Sequence, residues 1–161
     1  MAQALNCELN TVMGKSLRIK ELDMQVTGKC HCQKISFRAE VDPDRTVLCH
    51  CTDCRAMSGA PYRSVIQTKE TDFELLTGKP KLYFKYGDSG NKRELAFCGD
   101  CGSHIYATSV GDSPNRSFGL RTGVLDQFAD LEPTLQVWCR SQVSWAQDVS
   151  GIEQVDTVPG A

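Results

Sequence analysis

The stretch Ile35-Ser36-Phe37-Arg38-Ala39-Glu40-Val41 places apolar side chains at every second position, with polar ones between them. A period of two marks a strand with one face in a core and the other in water. Asp42-Pro43-Asp44 ends it as a turn. Outward from this stretch, runs of similar texture recur at 62–68, 73–76, 82–86, 94–97, 105–109, 117–121 and 135–139. Turn formers separate them, among them Thr77-Gly78-Lys79-Pro80 and Gly87-Asp88-Ser89-Gly90-Asn91. Helical texture is confined to a short turn over 52–58 and another near 124–129. Short, regularly spaced strands without intervening helices predict a mostly β chain, built as two packed antiparallel sheets with short helical turns. The texture changes at Met24. This divides the chain into an N-terminal extension, 1–23, and one domain, 24–158, large enough to bury an apolar core.

Charge and composition narrow the function classes. Lys and Arg number 18 against 20 Asp and Glu, so the chain lacks the basic surplus of a dedicated nucleic-acid binder. No apolar run approaches the length of a membrane span. The first 23 residues contain no apolar segment of the signal-peptide kind, being broken by Asn6, Glu8, Asn10, Lys15, Arg18 and Lys20. The expected setting is therefore cytoplasmic, with neither nucleic acid nor membrane as partner. In that setting nine cysteines, an odd number, point to metal or redox chemistry rather than to disulfides.

Seven of the nine fall in three groups: Cys30-His31-Cys32, Cys49-His50-Cys51-Thr52-Asp53-Cys54 and Cys98-Gly99-Asp100-Cys101-Gly102. The first and third groups together offer four sulfurs, enough to close a tetrahedral zinc site once the intervening strands bring them together. The middle group offers three, the first two across an extended step and the third on a helical turn. Three protein ligands leave a fourth position for water or substrate, the distinction between catalytic and structural zinc. Other readings of the residues are a second structural zinc closed by Cys139 or His50, an iron–sulfur cluster completed by Cys139, and disulfides. Thioredoxin-like use of Cys98 and Cys101 lacks the βαβ setting that motif needs.

At these residues the chain resembles the glutathione-dependent formaldehyde-activating enzyme family, which includes the centromere protein V domain. The matching segments are Gly28-Lys29-Cys30-His31-Cys32, Ile35-Ser36-Phe37, Cys49-His50-Cys51-Thr52-Asp53-Cys54-Arg55, Gly78, and Phe97-Cys98-Gly99-Asp100-Cys101-Gly102-Ser103, with weaker similarity through Pro133, Trp138, Ser141 and Trp145. The resemblance implies two zinc ions per chain: a structural one on Cys30, Cys32, Cys98 and Cys101, and a catalytic one on Cys49, Cys51 and Cys54. It also implies a carbon–sulfur lyase that adds a small thiol, glutathione, to formaldehyde or a related aldehyde. The alternative is a non-catalytic two-zinc scaffold for protein contacts; self-association is left open.

Three thiolates on a divalent ion leave the site formally negative, which weakens it as a Lewis acid and favours capture of the incoming thiol as thiolate. An anionic thiol calls for an arginine beside that site, and Arg55, next to Cys54, is the first candidate, ahead of Arg63, Lys29 and Arg121. Ser58 and Gly59 are candidates to offer backbone N–H groups to the substrate. His50, between two ligands, is expected to point away from the sulfurs and to pack or support them; His31 and His104 have no assigned role. Cys139 reads as a small buried hydrophobe on a strand face with Leu135 and Val137, Cys7 as a surface thiol, and Trp138 and Trp145 as core anchors.

Overall fold

The computed structural model describes residues 23–158. The expected N-terminal extension therefore lies outside the described residues, apart from Asp23. Ten strands follow in chain order: β1 (Met24–Lys29), β2 (Ser36–Val41), β3 (Val47–Cys49), β4 (Arg63–Lys69), β5 (Phe73–Thr77), β6 (Lys81–Tyr86), β7 (Lys92–Phe97), β8 (His104–Ser109), β9 (Ser117–Arg121) and β10 (Leu135–Val137). One α-helix, α1 (Thr52–Ser58), sits between β3 and β4. They form a three-stranded sheet, β1-β2-β5, and a seven-stranded sheet, β10-β3-β4-β9-β8-β7-β6. The expected mostly β architecture of two sheets is what the chain adopts. All pairs are antiparallel except β10 with β3, which is parallel.

The alternation that predicted β2 holds in the fold. Phe37, Ala39 and Val41 are buried, as is Ile35 just before the strand, while Arg38 faces solvent. These residues and Val26 of β1 meet Ile66, Leu120, Ala96 and Phe118 of the large sheet in one core. Each large side chain so buried contributes about 1.5–3 kcal/mol. Phe73, Tyr106 and Phe118 pack as an aromatic group between the sheets, with Tyr106 and Phe118 stacked at 4.4 Å between ring centroids. Thr68 ties the layers by donating its hydroxyl to the Glu40 carbonyl at 2.7 Å.

Two strands escape a periodicity reading. β3 has only three residues, too few to show a period, and β1 carries glycine at an inward position. That glycine, Gly28, is paired directly with Phe37, whose ring lies where a Cβ would stand. Gly28→Ala should cost about 1–3 kcal/mol through overpacking and lower the thermal midpoint by several degrees. An unchanged midpoint in a thermal melt would show that the ring can move aside.

The short helical turn expected near 124–129 is present as two 3-10 turns, Thr122–Val124 and Phe128–Asp130. Two local expectations need correction. Cys139 is not on a strand face: β10 stops at Val137, Trp138 takes a left-handed conformation (φ 60°), and Cys139 opens the 3-10 turn Cys139–Ser141. Trp138 and Trp145 do not anchor the core, being 40% and 60% exposed. The break at Trp138 turns its ring out of the sheet and under the Arg140 guanidinium, 4.7 Å from the ring centroid.

Candidate functional site

Cys30 and Cys32 occupy the turn between β1 and β2, and Cys98 and Cys101 the turn between β7 and β8. Each turn folds tightly on itself. Cys30 N–H donates to the Ile35 carbonyl and Gln33 N–H to the Cys30 carbonyl; Cys98 N–H donates to the Ser103 carbonyl and Gly102 N–H to the Cys98 carbonyl. The second turn closes through a positive φ at Gly102, the conformation glycine takes at least cost. The turns also hold each other: His31 N–H donates to Ser103 Oγ at 3.0 Å, and Lys34 pairs with Asp100 at 2.9 Å. One turn belongs to each sheet. The four sulfurs thus converge where the two layers meet.

The middle cluster is assembled differently. Cys49 ends β3, Cys51 caps α1 in an extended conformation, and Cys54 lies in the helix's first turn. The Cys51 sulfur accepts from Cys54 N–H at 3.3 Å, which sets the third sulfur beside the first two. His50 N–H donates to the Val137 carbonyl of β10. The His50 side chain is buried and turned from the sulfurs, its Nε2 within 2.8 Å of Gln136 Oε1 and its ring edge-on to Tyr62.

Both clusters could hold a metal ion. In each, all sulfurs lie within 4.8 Å of one another. A tetrahedral site with metal–sulfur bonds of about 2.3 Å spaces its sulfurs about 3.8 Å apart. The contacts observed are 3.5 Å for Cys30 to Cys32, 3.7 Å for Cys32 to Cys98 and 3.5 Å for Cys49 to Cys51. The thiol chemistry agrees. Cys49 is held down to about 5, mainly by the hydrogen bond from Cys54, with burial opposing and Arg121 assisting. Cys54 is pushed up, foremost by the same contact with Cys49. Sulfurs this close cannot all be thiolates unless a cation shares them.

The middle cluster opens onto a cavity of about 550 Å³, on the face of the seven-stranded sheet that points away from the core. Strand alternation selects its floor: Val65 and Gln67 on β4, Gly119 on β9, Ala107 on β8 and Leu95 on β7. Cys49 is paired with Arg63 across β3 and β4, so Arg63 stands beside the sulfurs. Arg93 and Arg121 line the same cavity. Lys85 also faces it, in an ion pair with Asp53 of α1. Residues 87–89, Trp138 and Ser141 also line the cavity, and the two segments are joined by Arg140, which bonds Asp88 at 3.2 Å.

A model described as glutathione-dependent formaldehyde-activating enzyme matches residues 25–141. The chain belongs to this family. A solved Rhodobacter sphaeroides protein shares the fold, with a TM-score of 0.52 and 18% sequence identity over 68% of this chain and 98% of that one. No curated protein matches the sequence. Arg55, the first candidate for an arginine beside the three cysteines, does not line the cavity: its Nη1 donates to the Ser141 carbonyl at 3.4 Å. Lys29 pairs with Asp126. Gly59 N–H is taken by the Arg55 carbonyl, and the Ser58 hydroxyl donates to the Cys54 carbonyl at 2.7 Å, so both serve the end of α1. Of the residues weighed on sequence, Arg63 and Arg121 reach the cavity; Arg93 was not singled out. Its signal was an arginine in strand register with Leu95 on the face opposite the core.

Proposed function

We propose that the chain is a zinc-dependent carbon–sulfur lyase that adds glutathione to formaldehyde, with a structural zinc on Cys30, Cys32, Cys98 and Cys101 and a catalytic zinc on Cys49, Cys51 and Cys54. The observation that carries this is the contrast between the clusters: four sulfurs closed between two turns, and three at the edge of a cavity large enough for a small peptide. Cys49, Cys51 and Cys54 would hold the zinc ion, which when bound would supply stabilisation of an incoming thiol as thiolate at neutral pH.

The chain's own groups do the rest. β3 and α1 fix three sulfurs on one side of the cavity, and the His50 to Gln136 contact holds the segment between them. The apolar floor, Val65, Leu95 and Ala107, limits water around the reacting atoms. A bond forms between the thiol sulfur and the aldehyde carbon, and the thiol's proton ends on the former carbonyl oxygen. Nothing is left over.

Exchange spectroscopy of S-hydroxymethylglutathione formation, with and without the purified protein, tests the reading. Faster exchange at catalytic protein is expected. No acceleration even at stoichiometric protein, together with two metal ions that added glutathione does not perturb, would favour the scaffold instead.

A further inference from the structure

The cavity carries more positive charge than metal binding explains. Arg63 and Arg121 are 6% and 9% exposed, and Arg93 is half-buried beside them. Among the described residues, none of the three lies within ion-pair distance of a carboxylate. Arg63 Nη1 and Arg121 Nε have no hydrogen-bond partner there either. A buried guanidinium without a counter-charge is strongly unfavourable. The other charges at the cavity cancel in pairs, Lys85 with Asp53 and Arg140 with Asp88. Three thiolates around one divalent cation carry a single negative charge, which leaves two of the three arginines uncompensated.

The arginines also have an order in space. Arg63 is on β4, next to the strand of Cys49; Arg121 is on β9, one strand further; Arg93 is on β7, two strands beyond that. They are not level with one another: Arg93 is opposite Ser109 of β8, whereas Arg121 follows Leu120, which is opposite Tyr106, so Arg93 is set further along the strands as well as further across the sheet. All three line the one cavity, so its cationic lining extends well away from the sulfurs.

We infer that Arg63, Arg93 and Arg121 form a carboxylate-binding wall, which makes the cavity selective for elongated thiols carrying carboxylates away from the sulfur. The proposal rests on reading the cavity as a thiol site. It makes these arginines, rather than Arg55, the determinants of which thiol is accepted. The environment is consistent with a standing cationic field: His104 is held down to about 4, first by burial and then by Arg63 and Arg121, so it adds no charge at neutral pH. Arg121 is itself held down to about 10, by burial and by Arg63, and stays a cation.

The test is calorimetric binding to the metal-loaded protein, with three probes: glutathione, its diethyl ester, and S-methylglutathione. S-methylglutathione keeps both carboxylates but cannot supply a thiolate. Glutathione should bind at least about 30-fold more tightly than the diester, and S-methylglutathione should still bind. Arg93→Gln and Arg121→Gln should each weaken S-methylglutathione by roughly 10- to 100-fold at unchanged metal content, as loss of a charge-assisted hydrogen bond does. Equal affinity for glutathione and its diester would overturn the wall, and that comparison needs only the wild-type protein should a glutamine variant misfold. So would variants that keep full affinity for S-methylglutathione. If the carboxylate preference holds but formaldehyde addition is not accelerated, the wall stands and the lyase reading falls. If addition is accelerated equally for the acid and the ester, the reverse follows.

Discussion

Cys54→Ser should lower the metal content from two ions per chain to one and slow thiol addition by at least about 100-fold, while leaving the fold in place. A serine hydroxyl stays protonated at neutral pH and does not replace a thiolate on zinc. Loss of groups that merely orient a ligand typically costs about 10–100-fold in metal affinity or activity, so loss of a ligand should cost no less. The fold should survive because Cys54 is on α1, a seven-residue helix with no fully buried residue, and the core lies on the other face of the sheet. The thermal midpoint should therefore move by only a few degrees. Metal content by mass spectrometry and turnover on the same sample decide the matter: lost turnover with both ions still tightly bound would remove Cys54 from the ligand set.

The cysteine groups were legible in the sequence because a metal imposes short, fixed spacings that survive any uncertainty about strands. β2 was legible because its alternation has a core on one side and water on the other. The cavity was not, for a related reason. On β4 and β9 the faces opposite the core carry Arg63, Val65, Gln67, Gly119 and Arg121, and polar residues alternating with core residues read as a solvent face. What distinguishes this face is a roof, formed by α1 and residues 87–89 and 138–141, which comes from elsewhere in the chain. Arg55 drew attention by adjacency to Cys54 in sequence, whereas Arg63 gains its place by pairing with Cys49 across two strands. Trp138 misled because a tryptophan with positive φ is rare, and the end of β10 depends on that single residue.

The same contrast between the clusters predicts that Cys98→Ser acts on the whole fold. Cys98 is buried in the core group with Cys30, and its turn is fastened to the β1–β2 turn by the His31 to Ser103 hydrogen bond and the Lys34 to Asp100 ion pair. The ion pair is exposed and screened by solvent, so it adds little. A metal held between the turns contributes far more: structural zinc in small peptides is bound with an apparent free energy of about 10–16 kcal/mol, comparable to the entire stability of a domain, about 5–15 kcal/mol. Only part of that binding energy is lost if three sulfurs keep the ion weakly, but even about 4 kcal/mol of it would lower the midpoint by roughly 10 °C or more. Cys98→Ser should therefore either fail to accumulate as folded protein or melt at least that much lower, and Cys54→Ser should not. Chelation should show the same order, with the cavity ion leaving from folded protein and the second ion leaving only as the near-ultraviolet circular dichroism signal collapses. A Cys98→Ser protein that has lost its ion and still melts within a few degrees of wild type would show that core packing alone joins the two sheets, and would transfer the structural role from the cysteines to Phe37, Ile66 and Leu120.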